Sequence, residues 1–283
     1  MLADRSHVAA TPLAGVFVTL TDSARSFPRH WHGQYGLGVV DRGAQRSASG
    51  RGTVEAFAGH CLTHNPGEVH DGMPIGDTAR RWRMFHIEPT AMAGLFGVSS
   101  SAALEWHAPV VDDRTLRGTL NRAFDAAQAV ASAKHGVDSS DSAILEEALL
   151  VAVGRAAPRA RSSREDALDV GNLARVLERL ADDLTQAPTL DELAALAGTS
   201  RFTLVRQFGR RHGLPPMAWL LQWRLQRARE RIAAGGGLAD TAQSCGFSDQ
   251  SHLTRLFTRQ FGYTPGAWRT ATAGQGAARA RAF

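Results

Sequence analysis

At 283 residues the chain exceeds what one compact core usually accommodates, and its 43% hydrophobic and 21% charged residues are those of an ordinary globular protein. No apolar run reaches the roughly 18 residues of a membrane span, and Asp4, Arg5, His7, Thr11 and Pro12 interrupt the N-terminus, so neither a span nor an export signal is expected. The net charge of +5 is unevenly placed: residues 1–163 carry 16 Arg and Lys against 16 Asp and Glu, so the entire excess lies beyond them.

From Val16 to about Pro89, short β-like runs such as GVFVTL and YGLGVV alternate with the turn signals SASGRGT and NPGEVHDGMP. Within this region RHWHGQYGLG, Arg29 to Gly38, places two histidines two residues apart. If the stretch is one extended strand, His30, His32 and Gln34 share a face and can reach one ligand or one ion. Cys61 and Cys245 fit no zinc or disulfide spacing and read as reduced structural thiols, which points to the cytoplasm. Around Asp112 the sequence turns Ala-rich and helical. After the cap-like DSSDS, Ile144, Leu145, Ala148, Leu149 and Ala152 form an apolar stripe that suits either a dimer seam or plain core packing. Pro, Ser and Arg without periodicity mark a linker over 157–169, and little after residue 270 has anything to pack against.

The remaining part, 170–270, contains an internal repeat. Leu190, Ala194, Ala197, Gly198 and Ser200 correspond to Leu238, Ala242, Cys245, Gly246 and Ser248. After one inserted residue, Leu204, Arg206, Phe208, Gly213, Pro216 and Trp219 correspond to Leu253, Arg255, Phe257, Gly262, Pro265 and Trp268. Each copy reads as a short apolar helix, a Gly turn and a polar helix starting at a Ser cap, which is a helix-turn-helix. Its outward faces carry Arg201, Phe202, Val205 and Arg206 in one copy and Gln250, Ser251, Thr254 and Arg255 in the other. Pro215 to Ala234 joins the copies as one helix about 30 Å long, near the roughly 34 Å of a B-DNA turn, so the two polar helices suit successive major grooves. From Leu196 onward 13 Arg face only Glu230, Asp240 and Asp249, a balance suited to a polyanion.

These residues, and GFSDQSHLTRLFTRQFGYTPGAWR from Gly246 to Arg269 above all, resemble the DNA-binding domain of the AraC/XylS family of bacterial transcription regulators. Thr241, Leu253, Trp219 and Trp268 depart from the residues usual there. The resemblance implies an N-terminal cupin-like sensor, and HWHGQYGLGVVDRG and GHCLTHNPGEVHDG are similar to the two cupin motifs. In metal-using cupins two His and a Glu of the first motif and a His of the second hold the ion. His30, His32 and His70 match three of these roles, while the glutamate is missing.

Three readings of the N-terminal part stand side by side: a metal-holding cupin, catalytic or not; a barrel whose histidines satisfy hydrogen bonds; and an effector pocket. The last is preferred, with His30, His32, Gln34, Glu68 and His70 orienting a small molecule, Tyr35 or His86 assisting, and Trp31, Trp82 and Phe85 as apolar walls. The expectation is therefore an α+β chain of two domains. It comprises a cupin-like β-barrel sensor over 1–110, a helical dimerisation region over 111–156, a linker over 157–169, an all-α double helix-turn-helix over 170–270 and a disordered tail over 271–283. The expected partners are double-stranded DNA, a small-molecule effector, RNA polymerase and a second copy of the chain, with no membrane, no enzymatic activity, no cofactor and no metal.

Overall fold

The computed structural model describes residues 4–76, 79–96, 105–132, 139–156 and 170–273. Contacts divide the chain into two compact units, one within residues 1–160 that also takes in the stretch from Ala267, the other within 161–266. No helix among the described residues is long and apolar enough to cross a membrane. The expected linker, 157–169, lies outside the described residues.

Among the described residues the first unit has ten strands: β1 (Arg5–Ala10), β2 (Val16–Ser23), β3 (Phe27–His30), β4 (Tyr35–Arg42), β5 (Ala44–Ser49), β6 (Gly52–Phe57), β7 (Cys61–His64), β8 (His70–Pro74), β9 (Arg80–Ile87) and β10 (Val110–Val111). They do not close into the expected barrel. They form a six-stranded sheet in the order β1-β2-β9-β4-β7-β10 and a four-stranded sheet in the order β3-β8-β5-β6. Helices α1 (Pro89–Phe96), α2 (Arg114–Ser132) and α3 (Ser139–Ala156) accompany them.

Alternation along β4 builds the core. Tyr35, Leu37 and Val39, with Phe85 and Ile87 of β9, are buried in one cluster with Leu116, Leu120 and Phe124 of α2 and Leu145, Leu149 and Val153 of α3. Each such side chain contributes about 1.5–3 kcal/mol. Leu145, Ala148, Leu149 and Ala152 of the predicted stripe lie in this core, so these four serve packing within the chain. Ile144 instead is half exposed, because it lies one residue off the buried row of α3. On the opposite face of β4, Gly36 and Gly38 leave room for what lies across from them.

Arg80, only 1% exposed, ties the two sheets together. From β9 of the larger sheet, its guanidinium donates to Gln45 Oε1 on β5 (3.1 Å) and the Gly72 carbonyl on β8 (3.0 Å), and also to the Arg25 carbonyl (3.0 Å). It lies 4.8 Å over Trp82. Burial pulls its pKa down to about 10, which leaves it charged at neutral pH.

The second unit contains α4 (Val170–Asp182), α5 (Leu190–Leu196), α6 (Arg201–His212), α7 (Pro216–Ala233), α8 (Leu238–Ser244) and α9 (Gln250–Phe261), and the start of α10 (Pro265–Thr272). Leu173, Val176 and Leu180 of α4 pack with Leu193, Ala194, Leu204, Phe208 and Leu220. Prolines open α7 and α10, where a missing N–H costs nothing. The expected tail begins too early: α10 runs through Thr272, whose hydroxyl donates to the Trp268 carbonyl (2.9 Å), and residues 274–283 lie outside the described ones.

Candidate functional site

The first unit gathers five histidines between its sheets. In antiparallel pairing, directly opposed residues point to the same face. On β4, Gly36 is opposed by His64 of β7 on one side and His86 of β9 on the other, so both imidazoles stand on the face away from the helices. From the smaller sheet, His30 of β3 opposes His70 of β8. His32 completes the group from the segment between β3 and β4.

RHWHGQYGLG is therefore not one strand. β3 ends at His30, β4 starts at Tyr35, and the four residues between carry the chain from one sheet to the other. His30 and His32 converge because of that crossing and not because of strand alternation: their ring centroids are 4.8 Å apart. His70 lies 4.6 Å from His30 and 5.3 Å from His32, and His64 lies 5.0 Å from His32 and 5.2 Å from His70. His86 forms the outer wall, stacked 4.9 Å from Phe17 with its Nε2 3.0 Å from Thr19 Oγ1.

The other expected effector residues take different positions. Gln34 is buried, and its Nε2 donates to Glu88 Oε1 at 3.0 Å. The Glu68 carboxylate accepts from Asn65 N and Nδ2 (3.1 and 3.0 Å) and pairs with Arg51 at 3.7 Å, bracing the loop before β8. Tyr35 packs edge-on to Trp106, and Phe85 stacks on Phe124, so both belong to the helix-side core and not to the histidine group. Trp31 is buried, and Trp82 stands edge-on to Phe27 beside Arg80. His64 went unrecognised in the sequence, although it sits in the motif that supplied Glu68 and His70. The signal for it was Gly36, since a glycine in mid-strand marks a close approach.

Burial favours the neutral form of His30, His32 and His70. Burial, with the neighbouring His70, pushes His30 down to about 3. Burial and four surrounding imidazoles lower His32 well below its ordinary value, and burial lowers His70. His30 Nδ1 lies 2.6 Å from the Pro28 carbonyl, and His70 Nδ1 lies 2.8 Å from the Glu68 carbonyl. A carbonyl only accepts, so each Nδ1 carries the hydrogen and each Nε2 presents a lone pair.

The second unit presents matched helices. In α6, Leu204 and Phe208 are fully buried, as are Leu253 and Phe257 in α9. Arg201 and Arg206 of α6, and Gln250, Ser251 and Arg255 of α9, are exposed, while Val205 and Thr254 are half-buried at their edges. The side chain of Phe202 lies outside the described residues. Arg201 pairs with Asp191 of α5 at 3.2 Å, an exposed ion pair that a phosphate or base can displace.

The Ser200 side chain caps α6 by accepting from Thr203 N. The cap of α9 is Asp249 and not the expected Ser248: Asp249 Oδ1 accepts from His252 N at 2.7 Å. The extra residue of the second copy thus falls before the cap, and the whole of α9 follows α6 at an offset of 49. Gly198 and Gly246 turn at φ +63° and +75°. At Gly246 a Cβ would also fall 2.0 Å from the Leu184 carbonyl oxygen and 2.8 Å from the Arg224 guanidinium, so only glycine fits.

Residues 14–149 match the family model described as an AraC-like ligand binding domain, and residues 193–271 match that of a helix-turn-helix domain. The uncharacterized HTH-type transcriptional regulator YbfI of Bacillus subtilis is 25% identical over 81% of this chain and 82% of its own length. The HTH-type transcriptional activator RhaS of Klebsiella pneumoniae is 26% identical over 85% and 86%. The transcriptional activator NphR of a Rhodococcus species reaches 37% identity, but over 36% of this chain and 30% of its own. Among solved structures, an apo variant of ToxT from Vibrio cholerae shares the fold, with a TM-score of 0.51 over 91% of this chain and 98% of its own at 10% identity.

Proposed function

The chain belongs to the AraC family of ligand-responsive, DNA-binding transcription regulators, and we propose that within it the protein is a homodimeric activator whose two matched helices read adjacent major-groove segments. The carrying observation is the repeat of one exposure pattern at an offset of 49. Arg201, Val205 and Arg206 occupy the same helical positions in α6 as Gln250, Thr254 and Arg255 in α9, behind identically buried Leu and Phe pairs. Arg and Gln match the edges of guanine and adenine, and Ser251 and Phe202 complete the set. The α7 helix, of 18 residues and about 27 Å, supports a spacing near one DNA turn.

Relatives that bear the name of transcriptional activators support activation over repression, and contact with RNA polymerase is part of the same proposal. Dimerisation is supported by α3, whose exposed Ile144 and Val151 lie seven residues apart on one face. We assign the histidine-lined space of the first unit to effector binding and not to catalysis, and the protein to the cytoplasm. An effector that favours one arrangement of the protomers shifts the DNA-binding population by as much as its affinities for the two states differ.

The test is a mobility shift and footprint on DNA flanking the gene. The expected result is protection of two segments one helical turn apart per chain. Equal affinity for all sequences would sink the base-reading part of the proposal.

A further inference from the structure

We propose that Asp191 of α5 is a specificity-determining residue of the DNA interface, which holds Arg201, the first residue of α6, for the edge of a guanine and away from phosphates. The inference rests on the base-reading part of the function proposed above.

Asp191 Oδ1 lies 3.2 Å from Arg201 Nε, and Asp191 Oδ2 accepts from Arg201 Nη1 at 3.4 Å. Both side chains are largely exposed, so the pair adds little to folding stability. Its place in the module carries the argument. A capping box fixes the start of α5: Thr189 Oγ1 accepts from Glu192 N at 3.2 Å, and the Glu192 carboxylate accepts from Thr189 N at 2.8 Å. Asp191 therefore stands on a first turn that is held without it. Ser200 caps α6, accepting from Thr203 N at 3.2 Å. Arg201 follows that cap, at the helix end whose residues reach base edges in a helix-turn-helix.

Helix electrostatics give Arg201 no structural purpose. The N-terminus of a helix carries partial positive charge, so a cation in its first turn is misplaced for stability. The repeat shows that the module forms without either residue. Counted from the matched Leu190 and Leu238, Ala239 stands where Asp191 does. Counted from the caps Ser200 and Asp249, Gln250 stands where Arg201 does. An acidic residue at the next position, Glu192 in one copy and Asp240 in the other, is common to both. What differs is the pair as a whole: a cation with a carboxylate at α5 and α6, a neutral amide with no carboxylate at α8 and α9.

A carboxylate beside a guanidinium changes what the guanidinium binds. Arginine offers five N–H donors in a planar fork, and Asp191 engages its Nε and Nη1 side, which leaves hydrogens on both Nη1 and Nη2 for a bidentate contact. Guanine presents two acceptors, O6 and N7, and no charge. A phosphate that takes Arg201 instead sets its own charge beside the Asp191 carboxylate. That repulsion grows where the groove excludes water. The carboxylate also restricts a long side chain that would otherwise have to be ordered on binding. Gln250, with no such partner, suits the edge of adenine.

The experiment uses the full chain and a random DNA pool. Sites selected by the parent should carry a guanine at one position of the segment read by α6. Arg201→Ala should erase that preference. Asp191→Ala should weaken it at least threefold and leave the segment read by α9 as it is. Asp191→Asn, which keeps the size and loses the charge, should act in the same way. Circular dichroism shows whether each variant folds, and if Asp191→Ala is misfolded, Asp191→Asn carries the test.

Salt dependence separates this role from a merely structural one. With Arg201 released to a phosphate, the slope of log affinity against log salt should steepen by about 0.9, the value of one phosphate contact on B-DNA. In an Arg201→Ala background, Asp191→Ala should no longer alter base preference. Preference and slope that match the parent in Asp191→Ala overturn the proposal, as does an equal effect of Asp191→Ala with and without Arg201. A parent that selects no base at any position removes the base-reading function and this inference with it. A guanine preference indifferent to Asp191 leaves that function standing while the inference falls.

Discussion

Gly36 lies between His64 and His86 in the register of the six-stranded sheet, and a Cβ on it would fall 1.8 Å from His64 Nε2. No L side chain fits at that separation, so Gly36→Ala must displace the His64 ring or the strand. Forcing a methyl into such a packed place costs typically about 1–3 kcal/mol. We expect the urea midpoint of the first unit's unfolding to fall accordingly, with the slope unchanged. An unaltered midpoint would mean that His64 does not rest over Gly36.

Arg80 makes hydrogen bonds that a lysine cannot reproduce. Its planar fork reaches Gln45, Gly72 and Arg25 at once, linking the sheet that carries His86 to the sheet that carries His70. A lysine keeps the charge but offers one nitrogen. Arg80→Lys should cost about 1.5–3 kcal/mol, the usual value of a hydrogen bond to a charged group. Thermal denaturation in which Arg80→Lys matches the parent would deny the two-sheet tie.

Arg206 and Arg255 occupy equivalent places in α6 and α9. If each contacts a guanine edge bidentately, replacement by Ala costs about 1–3 kcal/mol at a specific site and relaxes sequence preference there. The relaxed positions should differ: one groove segment for Arg206→Ala, the neighbouring one for Arg255→Ala. Selection of binding sites from a random DNA pool for each variant reads this directly. A uniform loss over all sequences would assign both arginines to phosphates.

The repeat at residues 190–270 was legible because its signal is local: Leu and Phe at helical spacing, Gly turns and Ser or Asp caps lie within a few residues of one another. The one misplaced cap, Ser248 for Asp249, arose because the single inserted residue can be put on either side of Ser248 without disturbing the apolar pattern. The histidine group was only partly legible. Alternation suggested His30 and His32, the resemblance to the cupin motifs added His70, and His86 stood only as an assisting residue; His64 joins them through strand pairing between β4 and β7, of which Gly36 is the one local sign. For the same reason Tyr35 and Phe85 looked like cavity residues. Their side of the strand depends on where β4 begins, and the crossing at residues 31–34 moved that point.

The two caps make a difference that acid should expose. Ser200 does not titrate, whereas the Asp249 carboxyl is held below its ordinary value, chiefly by the His252 backbone N–H. A carboxyl whose folded pKa lies below its unfolded one stabilises at pH values above about 4 and loses that contribution as pH falls through the folded value. Amide protection at the start of α9 should therefore decline in acid before that of α6. In Asp249→Asn, which keeps an acceptor but no charge, the decline should vanish. Equal acid sensitivity of both helices would contradict this.

Ile144 and Val151 are 50% and 49% exposed on α3, while Leu145, Leu149, Ala152 and Val153 of the same helix are fully buried. The helix thus has two apolar faces, and the core of the first unit accounts for only one. Residues seven apart on a helix recur on the same side, so the exposed pair can meet its counterpart along a seam related by two-fold symmetry. A charge on that seam would stand against its own copy as well as lose apolar burial. A double substitution, Ile144→Glu with Val151→Glu, should therefore shift the full chain from dimer to monomer in sedimentation. It should leave the thermal midpoint close to the parent's, because neither side chain supports the core. The monomer should still bind one DNA segment pair, with lower affinity for a site that carries two. Sedimentation unchanged by the substitutions would place the interface elsewhere on the molecule.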